Sequence, residues 1–130
     1  MRIKYDANTF SFTGTLADID DEMYHGNGYR GAFRCIGGRV RNQRAANKAQ
    51  FFNIKAFDNE ADFLSGLDPK TEIRVTGHLD QRTYKQKDKT GEYTGETKYY
   101  QYVTVKQIDI IDDNHQILDS SESKKDKKAA

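Results

Sequence analysis

Eight residues, Gln50-Phe51-Phe52-Asn53-Ile54-Lys55-Ala56-Phe57, alternate with the two-residue period of a β-strand. Phe52, Ile54 and Ala56 make an ordinary core face, while Phe51, Asn53, Lys55 and Phe57 make the other. A solvent face seldom spends two phenylalanines beside a lysine. The strand therefore packs a core on one side and carries rings and a cation on the other, and this limits the chain to a small sheet whose outer surface has a use.

The surroundings of that strand are biased in the same way. Between Met23 and Phe57 there is no Asp or Glu, whereas Arg30, Arg34, Arg39, Arg41, Arg44, Lys48 and Lys55 supply seven cations in a chain whose net charge is only +1. Tyr24, Tyr29, Phe33, Phe51, Phe52 and Phe57 lie in the same stretch. Cations interleaved with aromatics on β-type sequence suit a single-stranded nucleic acid, which needs charge for its phosphates and flat rings for its unstacked bases. The acids lie mostly elsewhere, in Asp18–Glu22 and after Asp109. A Debye length of about 8 Å lets a local basic surface act despite distant acids.

A length of 130 residues predicts one domain, and 35% hydrophobic against 32% charged residues predicts a thin core. Met1–Asp6 is mixed and no apolar run follows it, so no signal peptide is expected, and no apolar run is long enough to cross a bilayer. The lone Cys35 has no partner for an internal disulfide; a small buried residue in a reducing, cytoplasmic setting is the expectation.

Five strands and one short helix are predicted. The first strand is Thr9–Ile19, with Phe10, Phe12, Gly14 and Leu16 on one side; Asp20-Asp21-Glu22 and a Gly26-Asn27-Gly28 turn end it. The second is about Tyr29–Arg41, with Phe33 and Cys35 inward. Val40 has the opposite parity, so a bulge is placed at Gly37-Gly38, turning Arg39 and Arg41 outward. Asn42–Ala49 reads as a flexible loop and Gln50–Phe57 as the third strand. Asp58 or Asn59 caps a helix through Leu67, with Phe63, Leu64 and Leu67 packing inward before Pro69. The fourth strand, Thr71–Tyr84, points Ile73, Val75, Gly77 and Leu79 in; Gln86–Glu96 is a hairpin tip and Lys98–Ile111 the fifth strand. Residues 1–112 form the domain and 113–130 a polar tail expected to be disordered, with nothing to bury from Ser120 onward.

Catalytic and metal chemistry find little purchase. Asp18, Asp20, Asp21 and Glu22 resemble a calcium loop, but Met23 stands where its glycine belongs and Tyr29 where a closing Glu would be. His25, His78 and His115 are scattered, without zinc-ligand spacing. No nucleophile elbow or phosphate loop occurs, so no enzyme, metal or cofactor is expected.

The order β-β-β-α-β-β is that of the five-stranded Greek-key barrel called the OB-fold, all-β apart from one short helix. Its second and third strands and its one–two and four–five loops take oligonucleotides or oligosaccharides. With those residues in place, Thr9–Ile111 resembles the bacterial and phage single-stranded DNA-binding proteins. Phe12-Thr13-Gly14-Thr15-Leu16 is similar to that family's first strand, and Gln50–Phe57 followed by Asn59-Glu60-Ala61 to its third strand and helix. Ile73-Arg74-Val75-Thr76-Gly77-His78-Leu79 is similar to its fourth. The resemblance implies stacking of bases on Phe51 and Phe57, and on Tyr84 of the extended hairpin. Arg41 stands where many members have tryptophan, and a guanidinium also stacks on a base. The family's acidic tip is missing; the chain finishes Lys124-Lys125-Asp126-Lys127-Lys128-Ala129-Ala130, pointing to a phage, plasmid or accessory version.

The expected site thus meets phosphates with Arg34, Arg39, Arg41, Lys55, Arg74, Lys85 and Lys87. Bases stack on Phe51, Phe57, Tyr84 and Tyr99, with Asn53 on the same face as the phenylalanines. The expected function is sequence-independent, non-enzymatic binding of single-stranded DNA in replication, recombination or DNA transfer. RNA binding, a primosome-type accessory role and a protein–protein module on the same fold are the competing readings. The family resemblance also implies a homo-oligomer, a dimer or tetramer.

Overall fold

The computed structural model of the chain describes residues 8–122. The expectations for Met1–Asp6 and for the lysine-rich residues 123–130 lie outside that range. Seven strands and one helix follow in the order β1 (Phe10–Ile19), β2 (Tyr24–Gly28), β3 (Gly31–Ala45), β4 (Lys48–Phe57), α1 (Asn59–Ser65), β5 (Glu72–Lys87), β6 (Tyr93–Ile111) and β7 (Ile117–Ser120). The sheet runs β1-β5-β6-β4-β3, and a further β1–β3 pairing closes it into a five-stranded barrel. Among the described residues only β4 and β6 pair in parallel. This is the OB-fold, with β2 added beside β3 and β7 beside β6.

Alternation fills the barrel. Leu16, Ile36, Val40, Ile54, Ile73, Val75, Val103 and Ile108 are buried, and Ala61, Phe63 and Leu64 from α1 join them. Each fully buried aliphatic side chain stabilises by about 1.5–3 kcal/mol. Close approach of neighbouring strands requires small residues on this lining: a Cβ on Gly77 would run into the Thr104 carbonyl oxygen.

Several local expectations are corrected. The Gly26-Asn27-Gly28 turn is instead the end of β2, whose five residues pair with β3 from Tyr24↔Cys35 to Gly28↔Gly31. β3 has no bulge at Gly37-Gly38: the β3–β4 register passes through both glycines without a shift. The irregularity lies on β1, between Leu16 and Asp18. Ile36 and Val40 share the buried parity, so Phe33 and Cys35 point outward, and Gly38 lets the Asp18 carbonyl cross close above it. Asn42–Ala49 is no loose loop, because β3 and β4 continue as a hairpin through Asn42↔Gln50 and Ala45↔Lys48.

Asp58 occupies the N-cap position of α1 without capping it by its side chain; its Oδ1 accepts the Arg34 backbone N–H at 3.1 Å. Leu79 keeps inward parity opposite Val103 but is exposed, since β5 and β6 have left the barrel there and continue as a long arm. The expected polar tail begins with a turn instead. Asp112 Oδ1 accepts the N–H groups of Asn114 (2.8 Å) and Gln116 (2.9 Å), reversing the chain so that β7 pairs with β6. Ser120 and Ser121 are buried, and Ser121 Oγ accepts the Ile108 N–H at 3.0 Å. A serine hydroxyl satisfies a backbone group and so can be buried where composition alone predicts exposure.

Candidate nucleic-acid interface

Antiparallel partners put their side chains on one face. On β3 and β4 the pairs Arg41↔Phe51, Arg39↔Asn53, Gly37↔Lys55 and Cys35↔Phe57 therefore share the outer surface, opposite the core pairs Val40↔Phe52, Gly38↔Ile54 and Ile36↔Ala56. Phe51 is 52% exposed, far from the burial of a core phenylalanine. The Arg39 guanidinium lies 5.2 Å from its ring centroid, a cation–π contact.

The surface continues onto β6. Lys55 is level with Thr104, and its ammonium sits 4.7 Å from the Tyr102 ring centroid. Tyr102 stacks on Tyr100 at 5.7 Å. Across the arm, Asp80, Arg82 and Tyr84 stand opposite Tyr102, Tyr100 and Lys98 on that same face. At the other end Phe57 meets Phe33 (6.0 Å between centroids), which meets Tyr24 (5.9 Å). Phe57 lies six positions along extended strand from Phe51, about 20 Å. Two aromatic stations thus lie along one open surface with cations between them.

Of the residues predicted from sequence, Arg39, Arg41, Phe51, Asn53, Lys55, Phe57 and Tyr84 come together here. Five do not. Arg34 has the opposite parity and is held by α1, with Nε 3.1 Å from Asp62 Oδ1 and Nη2 2.8 Å from Oδ2. That hydrogen bond, then the charge of Asp62, raises its pKa above the ordinary guanidinium value. Arg74 lies opposite Asp109 near the β7 turn and donates to the His115 carbonyl. Tyr99 and Lys85 have the Leu79 parity and occupy the reverse side of the arm. Lys87 is at the arm's tip, 5.1 Å from the Tyr93 ring centroid.

Phe33, Tyr24, Tyr100, Tyr102 and Arg82 were missed. Val103 and Val105 fix the inward parity of β6, and counting back from them places Tyr102 and Tyr100 outside; the signal was there. For Phe33 the misplaced bulge hid it.

Acids reach this surface as well, against the expectation that they lie elsewhere. Asp18 Oδ2 accepts from Arg39 Nε at 2.8 Å and Nη2 at 2.6 Å, and Asp20 Oδ2 accepts the Gly37 N–H at 3.0 Å. Asp80 accepts the Thr104 hydroxyl. Cys35 is half-buried on the outer face rather than inside; burial pushes its thiol pKa up, opposed by the charge of Lys55. Among the described residues no group of three or more His, Cys, Asp or Glu is placed to hold a metal ion, and no helix is long and apolar enough to cross a membrane.

The single-strand binding protein family matches this chain over residues 7–111, which covers the barrel and the whole arm. The chain belongs to that family. Membership brings the family's defining property, binding of single-stranded DNA. No curated protein matches the chain significantly.

Solved structures share the fold at low identity. The mitochondrial single-stranded DNA-binding protein Rim1 of S. cerevisiae is 14% identical with a TM-score of 0.58, over 82% of this chain and 96% of that one. The small single-stranded DNA-binding protein of Streptomyces coelicolor is 15% identical, with a TM-score of 0.56 over 86% of this chain and all (100%) of that one. The Plasmodium falciparum protein, solved in complex with single-stranded DNA, is 14% identical, with a TM-score of 0.60 over 85% and 100%. At such identity the likeness speaks for the barrel and not for individual contacts.

Proposed function

We propose that this family member holds the strand along the outer face of β3, β4 and the β5–β6 arm. Bases stack on Phe51, on the Tyr100–Tyr102 pair with Tyr84, and on Phe57 with Phe33 and Tyr24. Arg41, Lys55, Arg82 and Lys98 meet the phosphates between these stations. One observation carries the reading: rings and cations of β3, β4, β5 and β6 share one open surface, from Tyr84 through Lys55 and Phe51 to Phe57. Base–aromatic stacking contributes about 1–3 kcal/mol per base and accepts any base. Binding is therefore largely sequence-independent, and a duplex, whose bases are already stacked, is a poor ligand.

The chain acts without catalysis, as a dimer or tetramer in the cytoplasm, covering strands exposed in replication, recombination or DNA transfer. Family membership supports the non-catalytic and oligomeric points, and the lone Cys35 the reducing compartment. Gel-shift titrations with single-stranded DNA, duplex DNA and RNA of one sequence at two salt concentrations test the reading. The single DNA strand is expected to bind tightest, with affinity falling as salt rises. Equal binding of duplex would overturn it, and tighter binding of RNA would transfer the role to RNA.

A further inference from the structure

One acid stands fixed inside this cationic surface. Asp20 is tied twice to Gly37 of β3: its backbone N–H donates to the Gly37 carbonyl at 2.9 Å, and its Oδ2 accepts the Gly37 N–H at 3.0 Å. Gly37 leaves room for this, since a Cβ there would lie 2.8 Å from the same oxygen. The carboxylate thus takes the place of the side chain that Gly37 lacks, on the outer face and directly across from Lys55. Cross-strand neighbours on one face stand about 5 Å apart at Cβ. The Cys35 thiol, whose pKa is raised chiefly by burial, also feels both charges: Lys55 lowers that pKa and Asp20 raises it. Around them opens a cavity of about 300 Å³, with Asp18, Arg39, Asn53 and Tyr100 also in its lining. Asp18 is spent on Arg39, whereas among the described residues only the Gly37 N–H donates to the Asp20 side chain. A carboxylate has about four acceptor sites, so Asp20 keeps most of its capacity.

We infer that Asp20 reads one base of the bound strand in favour of guanine, whose N1–H and N2–H both donate to the carboxylate. The inference rests on the proposed path of the strand, which runs past Lys55. A fixed anion repels the phosphates that Lys55 and Arg41 attract, and it accepts N–H groups, which in DNA only the bases bring. Guanine alone presents two adjacent N–H donors, spaced for the two oxygens of one carboxylate. Thymine offers a single N–H flanked by carbonyl oxygens that the acid repels. Adenine and cytosine offer one amino group beside a ring nitrogen that is itself an acceptor. A phosphate held by Lys55 keeps its own base within reach of Asp20, because the two side chains are cross-strand neighbours. Stacking thus remains indifferent to sequence while one position acquires a preference.

The test uses end-labelled oligo-dT carrying one central dG or one central dI, which differs from dG only in lacking the N2 amino group. Fluorescence anisotropy titrations at fixed salt compare the two, so purine stacking is the same in both. The dG oligomer is expected to bind about tenfold tighter, equivalent to about 1.4 kcal/mol. Asp20→Asn, which keeps an oxygen for the Gly37 N–H and loses the charge, should bring the ratio of the two affinities close to one. Asp20→Ala should do likewise, so a folding defect in one variant leaves the other to decide. An acid that serves only to hold the end of β1 would leave the ratio unchanged in both variants. That result, or equal affinities in the unaltered protein, would overturn the inference while leaving the stacking path intact. Absence of binding to plain oligo-dT would overturn the path and the reading of guanine with it.

Discussion

Phe51 and Phe52 are neighbours in sequence with opposite duties, because a strand sends successive side chains to opposite faces. Phe51 carries Arg39 and is open to a ligand, whereas Phe52 packs on Phe12 with ring centroids 4.4 Å apart. Phe51→Ala should weaken single-strand binding by about 1–3 kcal/mol and leave thermal unfolding unchanged. Phe52→Ala should instead destabilise the fold by about 3 kcal/mol, the lower end for a phenylalanine that is only partly buried. Fluorescence titration and a melting curve on both variants separate the two roles; unchanged affinity in folded Phe51→Ala would remove that ring from the site. Arg39 raises a different question, since Asp18 already holds its guanidinium. Asp18→Asn should free it for a phosphate, tighten binding and steepen the log–log salt dependence by about 0.7. An unaltered slope would mean that Arg39 never meets the strand.

At the scale of elements, the β5–β6 arm is where sequence and geometry diverge most. Its alternation is legible, but which face joins the binding surface depends on the register set at its root, by Gly77↔Val105 and His78↔Thr104. Tyr99 looks as suitable as Tyr100 until that register is known. Gly77→Ala should force the two strands apart and cost about 1–3 kcal/mol in a melting experiment; wild-type stability would show that the strands relax freely. The arm's tip is held by Asp88, whose Oδ1 accepts from Thr90 N–H (2.8 Å), Thr90 Oγ (2.6 Å) and Glu92 N–H (3.1 Å). The bond from the Thr90 side chain, then that from the Glu92 backbone, lowers its pKa. A carboxylate lowered on folding stabilises the turn above its unfolded pKa, about 3.9, and that support is lost as pH falls through the lower folded value. Amide shifts of Thr90 and Glu92 should titrate with a midpoint below about 3.9; a midpoint above it would contradict the turn.

Over the whole molecule, a net charge of +1 conceals a surface on which cations are gathered between aromatic stations. With about four phosphates neutralised by Arg41, Lys55, Arg82 and Lys98, the log–log salt slope on a single strand should be about −2.8. Titrations across a salt series measure it, and a slope near zero would assign the affinity to stacking alone. Closure of the barrel makes this surface possible. It stacks β6 beside β4 in parallel and so carries Tyr100 and Tyr102 to Lys55, from which they are more than forty positions away in the chain.

The sequence by itself determined the barrel class, the core face of β4 and the presence of rings and cations on its outer side, because alternation and charge bias are local properties of the chain. Tertiary structure decided which of those residues act together. Parity on β3, the removal of Arg34 to Asp62 and the burial of Ser121 each depend on partners distant in sequence, set by strand register and barrel closure. The cavity where Asp20 lies over Gly37 has no local signature at all; it exists only once β1 has been set against β3.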